Sequence, residues 1–395
     1  MMKNKESWNK ARLAVMLAFI ANGILMATWA SRIPAVQEKL ALSDGELGIV
    51  LAGFSAGLLT ALLVSAGLIS RFGSRRIFHL STFLSCLALP SLMVISNPIY
   101  LFVLLFLFGG GISAADMAMN EQAVFVERDA SRPMMSSFHG GYSVGVLCGA
   151  LIGSGMAALP NFSPVIHFLM ISLFVGVVFV YIFPFFKQND LKTGEKTEIF
   201  RLPHRAVWML GAIALCCSIG ERTVTDWGAV YLIQVLKTDA ASAVFGFAAF
   251  SLMMTIMRLV GDLLSSRWSA VIIIRAGGLI AALGILAASI TNQQIIVIAG
   301  LAAVGVGIAN IIPLLFSSAG NIPGISPESG ITGVATIGYL GFLISPLLIG
   351  FVAEATSSLR LAFLFSAIIV GTIVFWSKAI NKEKAPEFGD LKQSM

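Results

Sequence analysis

An acidic residue stands in one of the most apolar stretches of the sequence. Asp116 lies in the segment GGGISAADMAMN, and Ser113 and Asn120 share its face of a helix through i−3 and i+4 spacing. An ionised carboxylate in the middle of a lipid bilayer costs about 2.5–3.5 kcal/mol on insertion scales, so such a residue needs a reason. Asp116 is either a proton site, neutral when it is loaded, or a carboxylate held permanently by a base or by the Asn120 amide. No Lys or Arg lies within one helical turn, which favours the proton site.

A second group of charges consists of Glu221, Arg222 and Asp226. Arg222 and Asp226 are four residues apart, so a structural ion pair within one helix is the simplest interpretation. Asp226 remains a candidate for substrate contact as well. Glu221 has no such partner in its own helix, and we interpret it as a second candidate site for a proton or a substrate.

His139 is a third candidate for proton transfer, because histidine titrates near neutral pH. It is followed by Tyr142 on the same helical face. A histidine that is simply hydrogen-bonded to a neighbouring helix is an equally good interpretation. Glu121 is one residue away from the face of Asp116. We expect it to form an ion pair with a basic residue and to act in gating. Arg258 and Asp262, again at i and i+4, are expected to form a structural pair.

Aromatic and amide side chains at helical spacing suit a neutral solute that is held by stacking and hydrogen bonds. Core packing is the competing interpretation for each aromatic residue alone. Pro313, three residues after Asn310, is expected to bend its helix and free a carbonyl group. The candidate substrate contacts are Asn22, Trp29, Asn120, Tyr142, Asp226, Trp227, Tyr231, Asn310 and Tyr339.

The composition shows what kind of protein must position these residues. Of 395 residues, 57% are hydrophobic and 12% are charged, and the mean hydropathy is +0.90. A soluble domain has about 25% charged residues, so soluble enzymes and nucleic-acid binders are excluded. No phosphate-binding glycine motif and no metal-ligand spacing occurs, so we expect no cofactor and no metal. The four cysteines all lie in apolar stretches and are interpreted as buried hydrophobic residues.

The apolar stretches predict an all-α membrane protein with twelve spans, because a helix crosses a bilayer in about 20 residues. A capping box at Ser43–Glu46 marks the start of span 2. Twenty Lys and Arg residues fall on the side of the N-terminus and four on the other side, which predicts two cytoplasmic termini. Spans 1 to 12 are expected at 12–34, 46–69, 77–96, 99–122, 134–158, 164–186, 206–235, 241–265, 270–290, 294–317, 330–353 and 359–380.

The chain is predicted to contain a parallel internal repeat. Gly141-Tyr142 recurs as Gly338-Tyr339 at an offset of 197 residues, and Ser70-Arg71-Phe72 recurs as Ser266-Arg267-Trp268 at an offset of 196. Six spans separate the copies, so both have the same orientation in the membrane. The expected domains are a six-helix bundle at 1–186, a cytoplasmic linker at 187–204, and a six-helix bundle with a short cytoplasmic tail at 205–395.

Two parallel six-helix halves resemble the major facilitator superfamily of transporters. The superfamily's loop between spans 2 and 3 typically reads G-x-x-x-D-R-x-G-R-R, and residues 66–76 read AGLISRFGSRR. The resemblance implies gating or structural roles for Arg71 and Arg75. Ser70 replaces the acidic residue of the motif, and Asp262, near Arg258, is expected to take over part of its role.

Three segments, 111–120, 139–145 and 221–227, resemble the fucose-permease-like branch of the superfamily. Within that branch the chain is similar to bacterial inner-membrane proteins without well-defined substrates. The sugar permeases of the branch carry an acidic residue in span 1, where this chain has Ala30. Recognition of a fucose-like substrate is therefore not implied.

The expected function is proton-coupled symport of a small polar, sugar-like solute by alternating access. We expect a monomer in the bacterial inner membrane whose partners are the solute, protons and the lipid bilayer, and no nucleic acid. A proton-linked exporter of amphipathic compounds is the alternative. A membrane sensor without transport, or an enzyme with its site in the bilayer, is an alternative of another class.

Overall fold

The computed structural model describes residues 2–130, 134–187, 205–322 and 327–377. Within these ranges the regular secondary structure is helical, with one short 3₁₀ helix and no strand. Twelve spans are long and apolar enough to cross a membrane, as the sequence predicts. They are Trp8–Leu40, Asp44–Phe72, Ser74–Val94, Pro98–Asp129, Ser137–Ala158, Pro164–Phe185, Val207–Leu236, Ala240–Leu259, Ala270–Ile290, Gln294–Ala319, Ser329–Thr356 and Leu359–Trp376.

Several spans are continued or interrupted by short helices. Span 1 consists of two helices, as do span 10 and span 12, and a short helix follows span 8. The helix bounds are Met2–Ala30, Ile33–Leu40, Asp44–Phe72, Ser74–Val94, Pro98–Ala130, Met135–Ala158, Pro164–Ile182, Phe183–Phe185 (3₁₀), Arg205–Leu236, Ala240–Leu259, Gly261–Arg267, Ala270–Ile290, Gln294–Ile308, Ile311–Ala319, Pro327–Thr356, Leu359–Gly371 and Ile373–Trp376.

The spans form two bundles of six. In the first bundle, span 1 packs on span 5, and span 4 packs on spans 2 and 3; in the second, span 7 packs on span 11, and span 10 packs on spans 8 and 9. Spans 2 and 11, and spans 5 and 8, meet between the bundles. We call the side of Trp8 and Trp376 the terminal face, and the side of Leu40 and Asp44 the opposite face.

Apolar side chains cover the outside of the bundles. Leu173, Val177, Ile295 and Phe375 are each more than half exposed, in spans 6, 10 and 12. Exposed apolar surface of this kind is costly in water and is compatible with lipid around the bundles. The surface therefore agrees with a protein that crosses the bilayer many times.

Local sequence signals determine where several helices begin and end. Ser43 accepts a hydrogen bond from the Glu46 amide, and the Glu46 side chain accepts one from the Ser43 amide, which confirms the predicted capping box. Gly73 separates spans 2 and 3 with φ 82°, a conformation that favours glycine. The glycine of the Arg-x-Gly motif is thus required by the backbone of this turn.

Span 10 is interrupted at Ala309–Asn310, as the sequence predicts from Pro313. A proline nitrogen cannot donate to the carbonyl four residues earlier, so the helix is broken there. Span 1 is interrupted at Ser31–Arg32, where the sequence predicts one continuous helix over 12–34. That expectation is wrong, because a second helix with a proline in its first turn, Ile33–Leu40, begins there.

The linker expected at 187–204 lies outside the described residues except for Lys187. Lys187 packs on the first bundle: its side chain forms an ion pair with Asp129, and its main-chain amide donates to Gln122 Oε1 at 2.9 Å. Lys187 therefore belongs to the first bundle by its contacts. The expected cytoplasmic tail after residue 377 lies outside the described residues.

Candidate functional site

Asp116 is half-buried in span 4. The Asn120 side-chain amide donates to the main-chain oxygen of Asp116 at 2.8 Å, so Asn120 is tied to its own helix. Among the residues that the structure describes, no Lys or Arg forms an ion pair with the Asp116 carboxylate. A permanent ion pair with a described base, one form of the competing interpretation, is therefore not formed. The other form, a carboxylate held by the Asn120 amide, is compatible with the side-chain hydrogen bond between Asn120 and Asp116.

Two tyrosines, one from each bundle, lie within electrostatic range of the same two acidic residues. Tyr142 of span 5 and Tyr339 of span 11 are both within electrostatic range of Asp116 and of Glu221. Span 11 belongs to the second bundle, so the surroundings of Asp116 include a polar group from that bundle. Asp116 and Glu221, which the sequence suggests separately, thus both lie within electrostatic range of the same two tyrosines.

Arg222 and Asp226 form the ion pair expected from their spacing, with 3.1 Å between Arg222 Nε and Asp226 Oδ2. Both side chains are at least 95% buried. Arg222 also contacts the first bundle, because its Nη2 donates to Ser55 Oγ at 3.4 Å and its guanidinium lies 5.2 Å from the Phe54 ring centroid. The pair therefore stands at the interface of the bundles, with Arg222 reaching across.

Two charged or titratable side chains on the terminal side are exposed, unlike the buried pair of Arg222 and Asp226. His139 of span 5 and Arg258 of span 8 are both exposed, and they are within electrostatic range of each other across the two bundles. The His139 ring packs edge-on against Phe19, with 5.2 Å between the ring centroids. A Cβ added to Gly140 would meet open space. Both side chains are therefore accessible at the terminal end of the contact between spans 5 and 8.

The remaining candidates for gating or structural roles are described by their exposure or by a single contact. Glu121 is half-buried on the terminal side of span 4. Arg71 is exposed beside Phe72, and the Arg75 guanidinium lies 4.2 Å from the Phe183 ring centroid. The side chain of Asp262 lies outside what the structure describes. Its expected pairing with Arg258 therefore stays a prediction.

The opposite side is closed by direct contacts between the bundles. The Gly45 amide of span 2 donates to Glu354 Oε2 of span 11 at 3.1 Å. The Gln234 amide donates to Asp44 Oδ1 at 3.2 Å, and Ser154 Oγ donates to the Ala241 oxygen at 2.9 Å. Sequence reasoning did not identify these residues, because each contact joins positions far apart in the chain.

Three of the aromatic candidates are fully packed in this conformation. Trp29 is 2% exposed, and Trp227 and Tyr231 are 0% exposed. The Tyr231 hydroxyl donates to the Ala288 oxygen at 2.8 Å, and its ring lies 4.3 Å from that of Phe363. The cavity surface that substrate contact requires is absent at these residues here, and the contacts agree with the core-packing interpretation.

Asn22 and Asn310, two of the three amide candidates, differ from each other. Asn310 is tied to span 8, since its Nδ2 donates to the Met257 oxygen at 2.9 Å. Asn22 is buried, and its Nδ2 has no hydrogen-bond partner among the described residues. Asn22 thus keeps a free donor for a ligand, whereas the Asn310 amide is engaged in helix packing.

Among the described residues, no three His, Cys, Asp or Glu side chains lie close enough together to hold a metal ion.

A buried contact near the opposite face was also missed. Arg32 is 5% exposed, and its Nε donates to His167 Nδ1 at 3.2 Å. The sequence analysis counts Arg32 among the four Lys and Arg residues on the side away from the N-terminus, at the end of the span predicted at 12–34. The only signal for a buried position is the apolar sequence that continues through Ile33 and Val36.

Comparison with known proteins gives consistent results over nearly the whole chain. Residues 13–337 match the family described as the Major Facilitator Superfamily. An uncharacterised MFS-type transporter from Yersinia pestis is 31% identical over 379 residues, which cover 94% of this chain and 96% of the relative.

Two solved structures have the same fold at low sequence identity. A mutant of the nucleoside transporter NupG has a TM-score of 0.81 at 9% identity and covers 94% of this chain and 99% of its own. A bacterial homologue of the human lysosomal transporter Spinster, in an inward-facing and unoccupied conformation, has a TM-score of 0.76 at 13% identity, with 96% and 99% covered. These similarities concern the fold alone.

Proposed function

Because this chain belongs to the major facilitator superfamily, whose members are secondary transporters of small solutes, we propose that it is a proton-coupled symporter of a small polar, sugar-like solute. The excess of Lys and Arg on the terminal side supports an inner-membrane protein with cytoplasmic termini. Two transport domains, at 1–186 and 205–395, are the moving units. The resemblance of three segments supports a place in the fucose-permease-like branch.

The single observation that carries the proposal is the position of Asp116. It is a half-buried acidic residue within electrostatic range of one tyrosine from each bundle, and it forms no ion pair with a described Lys or Arg. A charge at this depth that is not neutralised by a base is costly unless a proton neutralises it. Asp116 therefore loads and releases a proton as the surroundings change from open to closed.

The arrangement of the bundles supports alternating access around this position. Hydrogen bonds and close backbone contacts join the bundles on the opposite side, whereas His139 and Arg258 are exposed on the terminal side. This is the inward-open state if the termini are cytoplasmic. Rocking of the bundles would open the opposite side and expose Asp116 to the other solution.

The test uses purified protein in liposomes. A thermal-shift screen against sugars and related solutes at two pH values first identifies a solute whose stabilisation depends on pH. Uptake of that solute is then measured under a proton gradient, and counterflow is measured without a gradient. Asp116→Asn should abolish gradient-driven accumulation and retain counterflow, because the neutral amide resembles the protonated acid.

Asp129→Asn is the matched control, since it removes an acidic side chain from the same span at an exposed position. We expect it to accumulate solute like the wild-type protein. Glu221→Gln tests whether the second acid contributes to coupling. Accumulation by Asp116→Asn that still follows the proton gradient would contradict the role of Asp116.

An exporter of amphipathic compounds is the second candidate, and one feature favours it. A groove of about 470 Å³ lies among spans 2, 3 and 4 and is lined by side chains such as Val64, Leu84 and Leu107, all exposed. Such a groove can accept an apolar molecule from the lipid. Vesicles with the protein in a known orientation distinguish the candidates, because a symporter accumulates its solute and a proton-driven exporter expels it.

A further inference from the structure

Arg32 is a buried cation without a carboxylate partner. It lies at the break between the two helices of span 1 and is 5% exposed. Its Nε donates to His167 Nδ1 at 3.2 Å, while its Nη2 is buried and has no hydrogen-bond partner among the described residues. An imidazole nitrogen that accepts this hydrogen bond carries no negative charge. No carboxylate in the described part of the chain therefore neutralises the charge of Arg32, and an unpaired buried charge is strongly unfavourable.

The acidic groups nearby do not pair with Arg32. Glu38 is exposed one helical turn and a half further along span 1 and forms no ion pair with Arg32. Asp44 accepts hydrogen bonds from the amides of Gln37 at 2.9 Å and Gln234 at 3.2 Å. Lys39 is directed to the Met93 and Ile95 oxygens. These contacts leave the guanidinium as the one buried charge on this part of span 1.

Arg32 forms part of the wall of a cavity of about 490 Å³. One side of the cavity consists of span 1 residues, and the other consists of residues of spans 7 and 8, so both bundles contribute. Apolar groups such as Leu42, Val230 and Ile233 form much of the wall beside Gln37 and Glu38. The volume is in the range of small-molecule sites, the walls are largely apolar, and the cation is buried whereas the Glu38 carboxylate is exposed to solvent, so the cavity suits an organic anion.

We propose that this cavity, here called the vestibule site, binds a small organic carboxylate near the opposite face. The carboxylate accepts hydrogen bonds from the guanidinium of Arg32, and the hydrocarbon part of the ligand packs against Leu42, Val230 and Ile233. The vestibule site is distinct from the position around Asp116. It binds its ligand whether or not transport is coupled to protons, so the two proposals can fail separately.

The test is calorimetric titration of the purified full-length protein with acetate, hexanoate and benzoate, each beside its uncharged amide. We expect saturable binding of at least one carboxylate, about tenfold or more tighter than its amide, because charge-assisted hydrogen bonds are stronger than neutral ones. Arg32→Gln should weaken carboxylate binding by about tenfold or more. Arg32→Lys should retain part of it, because the positive charge is kept.

Two further variants keep Arg32 in place. Ala240→Trp puts a large side chain into the cavity wall at an exposed helix start and should abolish binding. Glu38→Gln removes a negative charge from the wall and should strengthen binding. If Arg32→Gln does not fold, these two variants decide the question.

The proposal is overturned if no carboxylate binds saturably to the wild-type protein or if the amides bind as tightly as the carboxylates. It is equally overturned if Ala240→Trp binds the carboxylate like the wild-type protein. The same holds if Arg32→Gln folds and binds the carboxylate like the wild-type protein.

Discussion

Gly48 is the position at which one added methyl group should push the two bundles apart. It lies in span 2 near the opposite face, where span 11 of the other bundle approaches it. A Cβ at Gly48 would lie 2.5 Å from the Pro346 oxygen and 3.2 Å from the Gly350 Cα. Both neighbours are backbone atoms, so they cannot turn away as a flexible side chain would. The Gly48→Ala variant therefore cannot keep the closed contact unchanged.

The size of the effect follows from the overlap. An ordinary van der Waals contact of a Cβ lies at 3.4–4 Å, so the added methyl group overlaps the Pro346 oxygen by about 1 Å. Overpacking of this kind costs about 1–3 kcal/mol, and separation of the bundles on this side relieves it. Because about 1.4 kcal/mol is a factor of ten, the ratio of open to closed opposite face should rise by about 5- to 150-fold.

Thiol labelling at Ser154 measures this ratio. Ser154 is 3% exposed and donates to the Ala241 oxygen across the bundles at 2.9 Å. A Ser154→Cys probe, placed in a background in which the exposed Cys148 is replaced by Ser, reacts with a membrane-impermeant maleimide only when the bundles separate there. The labelling rate should therefore increase with Gly48→Ala by the same factor.

Gly67→Ala is the matched control in the same span. A Cβ at Gly67 meets nothing within 4 Å, so it adds the same gain in helix propensity without the overlap. We expect its labelling rate to equal that of the parent protein. A Gly48→Ala rate within about twofold of the Gly67→Ala rate would refute the closed contact between spans 2 and 11, since it lies below the range expected from overpacking.

Two further predictions concern charged groups elsewhere in the second bundle. Asp226→Asn leaves Arg222 as a buried unpaired charge and should destabilise the protein by about 3–5 kcal/mol. The double variant Arg222→Gln with Asp226→Asn should recover much of this stability, because no unpaired charge remains. Thermal unfolding in detergent should therefore rank the double variant above Asp226→Asn in unfolding temperature. Hydrogen bonds from the Ser242 hydroxyl and amide lower the pKa of the Asp239 carboxyl group. The charged cap therefore stabilises the start of span 8 fully at pH values above the ordinary carboxyl pKa of about 3.9. This stabilisation is lost as the pH falls through the lowered pKa. The difference in unfolding temperature between the wild-type protein and Asp239→Ala should accordingly shrink on acidification, and an unchanged difference at low pH would contradict the charged cap.

The number of spans and most of their boundaries could be predicted because the bilayer imposes them, whereas the ends of spans 1, 4 and 8 differ from the prediction by about six residues. A helix must be apolar for about 20 residues, and polar or cap-forming residues end it, as Ser43 and Glu46 do before span 2. The break in span 10 was equally predictable, because proline removes a specific hydrogen bond. Each of these signals acts within a few residues of sequence and does not depend on which helix lies next to it.

The direction in which a side chain points within the bundle could not be predicted in the same way. A membrane helix is apolar on all sides, so its pattern does not distinguish a face that packs on a neighbour from one that borders a cavity. Trp227 and Tyr231 have the spacing expected of a cavity-lining stripe, yet both are fully buried. Tyr142 and Tyr339 have no stronger signal, yet they lie within range of Asp116 from two different bundles.

Arg32 shows why a charge can be misplaced even when the span is correctly predicted. Counting it with the basic residues outside the membrane assumes that the span ends near Pro34. Proline is in fact well accommodated in the first turn of a helix, so it permits the second helix of span 1, Ile33–Leu40, to begin there. That helix covers Arg32 and brings it against His167 of span 6. The guanidinium is buried because of this tertiary contact, and its unpaired charge is therefore a property of the folded protein that no pattern within span 1 records.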